Sequence, residues 1–204
     1  PPQMDKFPDA LASRSVTRIL EEEQRLKEKI FTGHVRKMIE LITEAQIDLV
    51  LTTLPRDLSV PPVLSGTHIE EEEELRGVVR ALNTRDPSSQ EDWVGKGLAL
   101  SNKVSLFLYE KAMIYQRKGD MKNAVLWVRK NISWELIPDA TPEINQIIRD
   151  LGTEYKVPVV DLDRYADQYL TNPRKVFLDK VHVNARGASE VASLVAEEVS
   201  PLLK

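Results

Sequence analysis

Ile47-Asp-Leu-Val-Leu-Thr-Thr-Leu54 is the stretch on which the fold turns. It is rich in branched apolar residues and stops at Pro55, as a strand does. A nearly continuous apolar run implies cover on both faces, which is the environment of a parallel sheet. Val157-Pro-Val-Val-Asp-Leu162 repeats the pattern. Working outward, Thr141 is placed to cap a helix with Pro142 in its first position. Ile144, Ile147, Ile148 and Leu151 give that helix its apolar face. A last helix is expected from about Asn184, with Ala188, Val191, Ala192, Val195 and Val199 on one side. Toward the start, Leu11 to Phe31 has helical spacing, Gly33 is expected to interrupt it, and a second helix is expected over Val35–Ala45. Residues 1–10 hold three prolines and no period. The order helix–strand–helix–strand–helix predicts an α/β fold on a parallel sheet.

The chain between the two strands is far longer than an ordinary crossover, and a helical insertion at about residues 69–138 accounts for the excess. Three parts result: residues 1–68, the insertion at 69–138, and residues 139–204. The insertion opens on the acidic run Glu70 to Glu74, whose plain reading is a solvated first helical turn favoured by the helix dipole. Leu108, Ala112, Tyr115, Gly119-Asp120, Ala124 and Val128 are spaced as two antiparallel helices joined at Gly119-Asp120. The set resembles the core of a tetratricopeptide repeat, with Pro138 near the expected end. One full repeat is visible where about three are needed for independent stability, so the segment must pack on the rest of the chain.

Composition narrows the function classes. The 204 residues are 42% hydrophobic and 29% charged, with net charge −4, so no basic surface for nucleic acid is expected. Cysteine is absent, which removes disulfides, thiolate metal sites and cysteine nucleophiles. The three histidines are far apart, which argues against a histidine metal site. No apolar run has the length of a membrane span.

The chemistry concentrates in Phe177-Leu-Asp179-Lys-Val-His182-Val-Asn184. In a serine hydrolase an imidazole takes the serine proton while a carboxylate holds its other nitrogen and stabilises the imidazolium. A short Asp-x-x-His loop can place both partners. The order strand, variable loop, Asp179-x-x-His182-x-Asn184, then Gly187 in an amphipathic helix resembles the C-terminal block of the SGNH (GDSL) hydrolases. The usual form there is Asp-x-x-His-Pro-Asn-x-x-Gly, and Val183 stands where proline is usual. Val35 to Pro62 looks like that family's central strand and following loop. The insertion followed by Thr141-Pro-Glu-Ile-Asn145 is similar to a bacterial branch with tetratricopeptide-like helices inside the domain. In that branch an arginine often precedes the Thr-Pro helix, whereas Ile137-Pro-Asp-Ala lies there in this chain. The likeness spans roughly residues 10–200.

The resemblance implies a three-layer flavodoxin-like parallel sheet, incomplete in this chain. It also implies an ester hydrolase or acyltransferase acting on acyl esters, including O-acetyl groups on a polysaccharide, with His182 as general base and Asp179 as its orienting carboxylate. That chemistry needs no metal or organic cofactor, and the family favours an extracytoplasmic setting. The family nucleophile sits in a Gly-Asp-Ser turn, which these 204 residues lack, as they lack its Gly-x-Asn-Asp segment and the alternative Gly-x-Ser-x-Gly elbow. Ser13 and Ser15 fall in a charged helical pattern and receive no role. The chain by itself is therefore expected to be inactive. A second reading makes it a degenerate domain that binds a protein partner through its helical insertion, and a third leaves Asp179 and His182 as a surface hydrogen bond. His34 is expected to be a surface or capping residue at a helix start, and His68 a solvated loop residue. Trp93, Trp127 and Trp134 are expected to anchor the insertion.

Overall fold

The computed structural model describes residues 16–60, 89–100, 105–132 and 141–203. Helix α1 runs from Val16 to Glu44 without a break. Gly33 therefore does not interrupt it, and His34 is exposed in mid-helix rather than at a start. A single helical glycine costs only about 1 kcal/mol. Phe31, Val35 and Ile39 on either side of it share one packed face against Leu51, Ile148 and Leu151, so the burial of that face outweighs the cost.

Two strands follow helices that end in the same way. Gln46 (φ 57°) and Lys156 (φ 56°) are left-handed. At the first end the Ile47 amide donates to Ile42 O at 3.1 Å, and at the second the Val157 amide donates to Gly152 O at 2.8 Å. Both are the 6→1 closure that ends a helix and sends the chain out extended. Strand β1 (Leu51–Thr52) and strand β2 (Val159–Val160) then pair in parallel, Leu51 opposite Val159 and Thr52 opposite Val160.

The strands are shorter than their apolar runs. Ile47 is 61% exposed, so the front of the first run is not covered. In the second run Pro158 has no N–H to donate. The Asp161 side chain accepts from the Arg164 amide and caps helix α6 (Leu162–Asp167), so Leu162 opens a helix instead of closing a strand. Past β1, the Asn145 side chain continues the ladder: its Oδ1 accepts from Leu54 N at 2.8 Å and its Nδ2 donates to Leu54 O at 3.0 Å.

Asn145 sits on helix α5 (Pro142–Tyr155), where Thr141 caps the amide of Ile144. A Cβ on Gly152 of this helix would lie 2.2 Å from Val159 Cγ2, which shows how closely the helix lies on β2. Helices α2 (Gln90–Leu100), α3 (Ser105–Arg117) and α4 (Met121–Ile132) form the helical part. Gly119 (φ 77°) turns α3 into α4, and Asp120 caps the Asn123 amide. Ala112, Ala124, Val128 and Ile132 form one core with Leu58 and Leu170, so the hairpin completes its apolar layer with residues from outside it. A one-turn 3-10 helix at Pro173–Lys175, helix α7 (Ala185–Val199) and a 3-10 helix at Ser200–Leu203 follow. The architecture among the described residues is α/β: mostly helix, around a small parallel sheet. The acidic run at 70–74, His68, Ser13, Ser15, Trp134 and Pro138 lie outside the described residues.

Candidate active site

The loop between Phe177 and Val183 is closed from its ends. Phe177 and Val183 form an antiparallel bridge, and the Leu178 amide donates to His182 O at 2.8 Å. Arg174 also donates to Leu178 O. Asn184 ties the loop to the next helix: its Oδ1 caps the Gly187 amide at 3.0 Å, its Nδ2 donates to Arg174 O at 3.0 Å, and its own amide donates to Val176 O at 2.8 Å. Gly187 is required by this packing, since a Cβ there would lie 2.3 Å from Val176 O and 2.9 Å from Val183 Cβ. One turn further on, Glu190 accepts from the hydroxyls of Tyr165 and Tyr169 and from Arg186, which anchors α7. The Tyr165 hydroxyl, then the Tyr169 hydroxyl and the Arg186 guanidinium, hold the Glu190 carboxyl down at about 2.

Asp179 and His182 meet inside this frame. His182 Nδ1 lies 3.0 Å from Asp179 Oδ1 and 2.9 Å from Oδ2. A carboxylate only accepts, so the ring proton sits on Nδ1. In the neutral ring Nε2 then carries the lone pair. The backbone amides of Val181 and His182 also donate to Asp179 Oδ1, at 3.0 and 2.9 Å. The Val181 amide, the His182 amide and the His182 ring, in that order, hold the Asp179 carboxyl down at about 2. The side chains are 74% and 58% exposed, so the ring presents its free edge to solvent. The structure thus brings together the two residues on which the sequence argument rested. Nothing in the geometry places a serine hydroxyl against His182 among the described residues.

The residues after β1 reach the same loop. Asp57 is 5% exposed, and its amide donates to Lys180 O at 2.8 Å. Its carboxylate accepts from Ser59 N at 2.8 Å and Ser59 Oγ at 2.7 Å. The loop therefore lies beyond the C-terminal end of β1, the edge at which open α/β sheets place their sites. Sequence reading did not single out Asp57. The Asp57-Leu-Ser59 spacing, typical of a side chain closing its own turn, was the available signal.

A second charged group lies nearby in sequence. Arg149 donates to Asp161 (2.9 and 2.7 Å) and to Asp163 (2.6 Å). Arg129 on α4 donates to both oxygens of Asp163 at 2.8 Å and to Asp167 at 2.6 Å. Thr53 bridges them, donating to Asp161 at 3.0 Å and accepting from the Asp163 amide at 2.9 Å. Its acids face arginines, and among the described residues no group of acidic or histidine side chains is placed to hold a metal ion. Trp93 and Trp127, half-buried in the helical part, each lie beneath a lysine, Lys96 and Lys130. Among the described residues no helix is long and apolar enough to cross a membrane. Comparison with protein-family models, with curated proteins and with solved structures finds no match.

Proposed function

We propose that Asp179 and His182 are the acid–histidine half of an SGNH-type ester hydrolase or acyltransferase, built on a three-layer flavodoxin-like sheet. The serine would come from outside these 204 residues. The observation that carries the reading is His182, held at Nδ1 by Asp179 with its free edge open to solvent. In that arrangement Nε2 takes the proton of an attacking hydroxyl, and the Asp179 carboxylate stabilises the imidazolium that forms. The substrates are acyl esters, with O-acetyl groups on a polysaccharide among them. His182 is the general base and Asp179 the orienting carboxylate, and neither step draws on a metal or organic cofactor.

The test is labelling with a fluorophosphonate, which reacts with an activated serine. The native polypeptide is expected to be labelled and His182→Ala not, while the chain of 204 residues stays unlabelled and turns over no short activated esters. Efficient turnover by this chain, lost in His182→Ala, would place the serine within it. An unlabelled native polypeptide would favour the second reading, a non-catalytic domain that binds a protein through its helical part.

A further inference from the structure

The peptide unit between Lys180 and Val181 is held at both ends. Its carbonyl, Lys180 O, accepts from the Asp57 amide at 2.8 Å. Its N–H, on Val181, donates to Asp179 Oδ1 at 3.0 Å. One rigid plane thus stands between a buried residue after β1 and the carboxylate that orients His182. We infer that Asp57 is a positioning residue for the Asp179–His182 pair, acting through the Lys180–Val181 peptide.

The sequence around Asp57 suits this role. Its carboxylate bends the chain back on itself by accepting both donors of Ser59. Tyr109 of α3 donates to Ser59 O at 3.1 Å, and Leu58 is buried in the helical core, so the turn is fixed from two more sides. The Asp57 amide is therefore presented to Lys180 O in a set direction. A hydrogen bond accepted at one end of a peptide polarises the donor at the other. The Val181 amide is aimed at Asp179 and strengthened toward it. This amide is the foremost contribution to the low pKa of Asp179. An ionised, oriented Asp179 in turn keeps the His182 proton on Nδ1.

The catalytic meaning of this arrangement rests on the hydrolase reading, but its test needs no turnover. The Asp179 carboxyl is followed by carbon NMR as a function of pH in the full chain. In Asp57→Ala, with the fold retained, its midpoint is expected to rise from about 2 toward the ordinary ~3.9. Asp57→Asn keeps an oxygen for Ser59 and should keep the midpoint low. General loosening of the fold would not separate these two variants. An unmoved Asp179 in folded Asp57→Ala overturns the inference. If Asp57→Ala does not fold, Ser59→Ala takes its place: a smaller rise supports the inference and an unmoved midpoint overturns it. An unlabelled native polypeptide would refute the hydrolase reading and leave this result standing.

Discussion

Two charged groups follow β2 within about twenty residues, and they are built in opposite ways. Around Asp163, 3% exposed, every acid meets an arginine and Thr53 fills the gap between them. Hydrogen bonds from Arg149, Arg164 and Thr53 overcome burial and lower the Asp161 pKa, while burial raises that of Asp167 despite Arg129 beside it. The Arg149 guanidinium is pushed upward chiefly by its bonds to Asp161. Around Asp179 the carboxylate is equally well held, but its partner is a histidine whose second nitrogen is not committed to it. The first group locks the helical hairpin to the sheet end through Arg129. The second offers a lone pair to whatever approaches. Density of charge marks the fastening, and an uncommitted atom at the end of a chain of bonds marks the candidate chemistry.

The largest expected effect breaks the fastening. Asp163→Ala leaves two largely buried guanidinium groups short of a partner, which costs ~3–5 kcal/mol. Asp179→Ala, at an exposed site, should lower the urea unfolding midpoint much less, by only the share its bonds to the Val181 and His182 amides and the His182 ring contribute. Equal midpoints for the two variants would remove the distinction between them. Next is Gly187→Ala. The added methyl meets a backbone oxygen and a branched Cβ, neither of which can swing aside, so overpacking of about 1–3 kcal/mol is expected. Urea unfolding measures it, and a loss below ~0.5 kcal/mol would show that α7 is free to shift away from the His182 loop. Asn184→Ala removes the helix cap and should cost about 1 kcal/mol. Asn184→Asp keeps the cap and should recover most of it, whereas equal losses would assign the effect to the bond with Arg174 O.

The contrast also explains what could be read from the sequence. The parallel pairing of the two apolar runs, the Thr141 cap, the Asn184 cap and the approach of Asp179 to His182 were legible, because each depends on residues close in sequence or on a strong apolar pattern. Strand length was not legible. Whether Ile47 or Leu162 belongs to a ladder depends on which backbone lies beside it and on Asp161 turning to cap α6. The continuity of α1 through Gly33 was missed because tertiary burial of Phe31, Val35 and Ile39 overrides a local breaker. The Arg129–Asp163 and Asp57–Lys180 contacts join residues 34 and 123 positions apart and leave no local signature beyond the turn at Asp57.

The smallest effect is also the most specific to the chemistry. The Asp179 carboxyl should titrate at about 2 in the folded chain, below the ordinary ~3.9. A folded pKa below the unfolded one stabilises the fold above the unfolded value. Its contribution is whole above about 4 and disappears as the pH falls through about 2. Across that window the carboxylate also loses its charge, so the proton on His182 Nδ1 loses its anionic partner. Nitrogen NMR of the neutral ring, recorded well above the window, should show the proton on Nδ1 in the wild type. In Asp179→Ala the same ring should carry a mixture of tautomers, because neither nitrogen then has a fixed acceptor. A wild-type spectrum dominated by a proton on Nε2 would mean that the lone pair faces Asp179 and the N–H faces solvent. His182 would then be a donor where a base is needed, and the comparison drawn above would lose its second half.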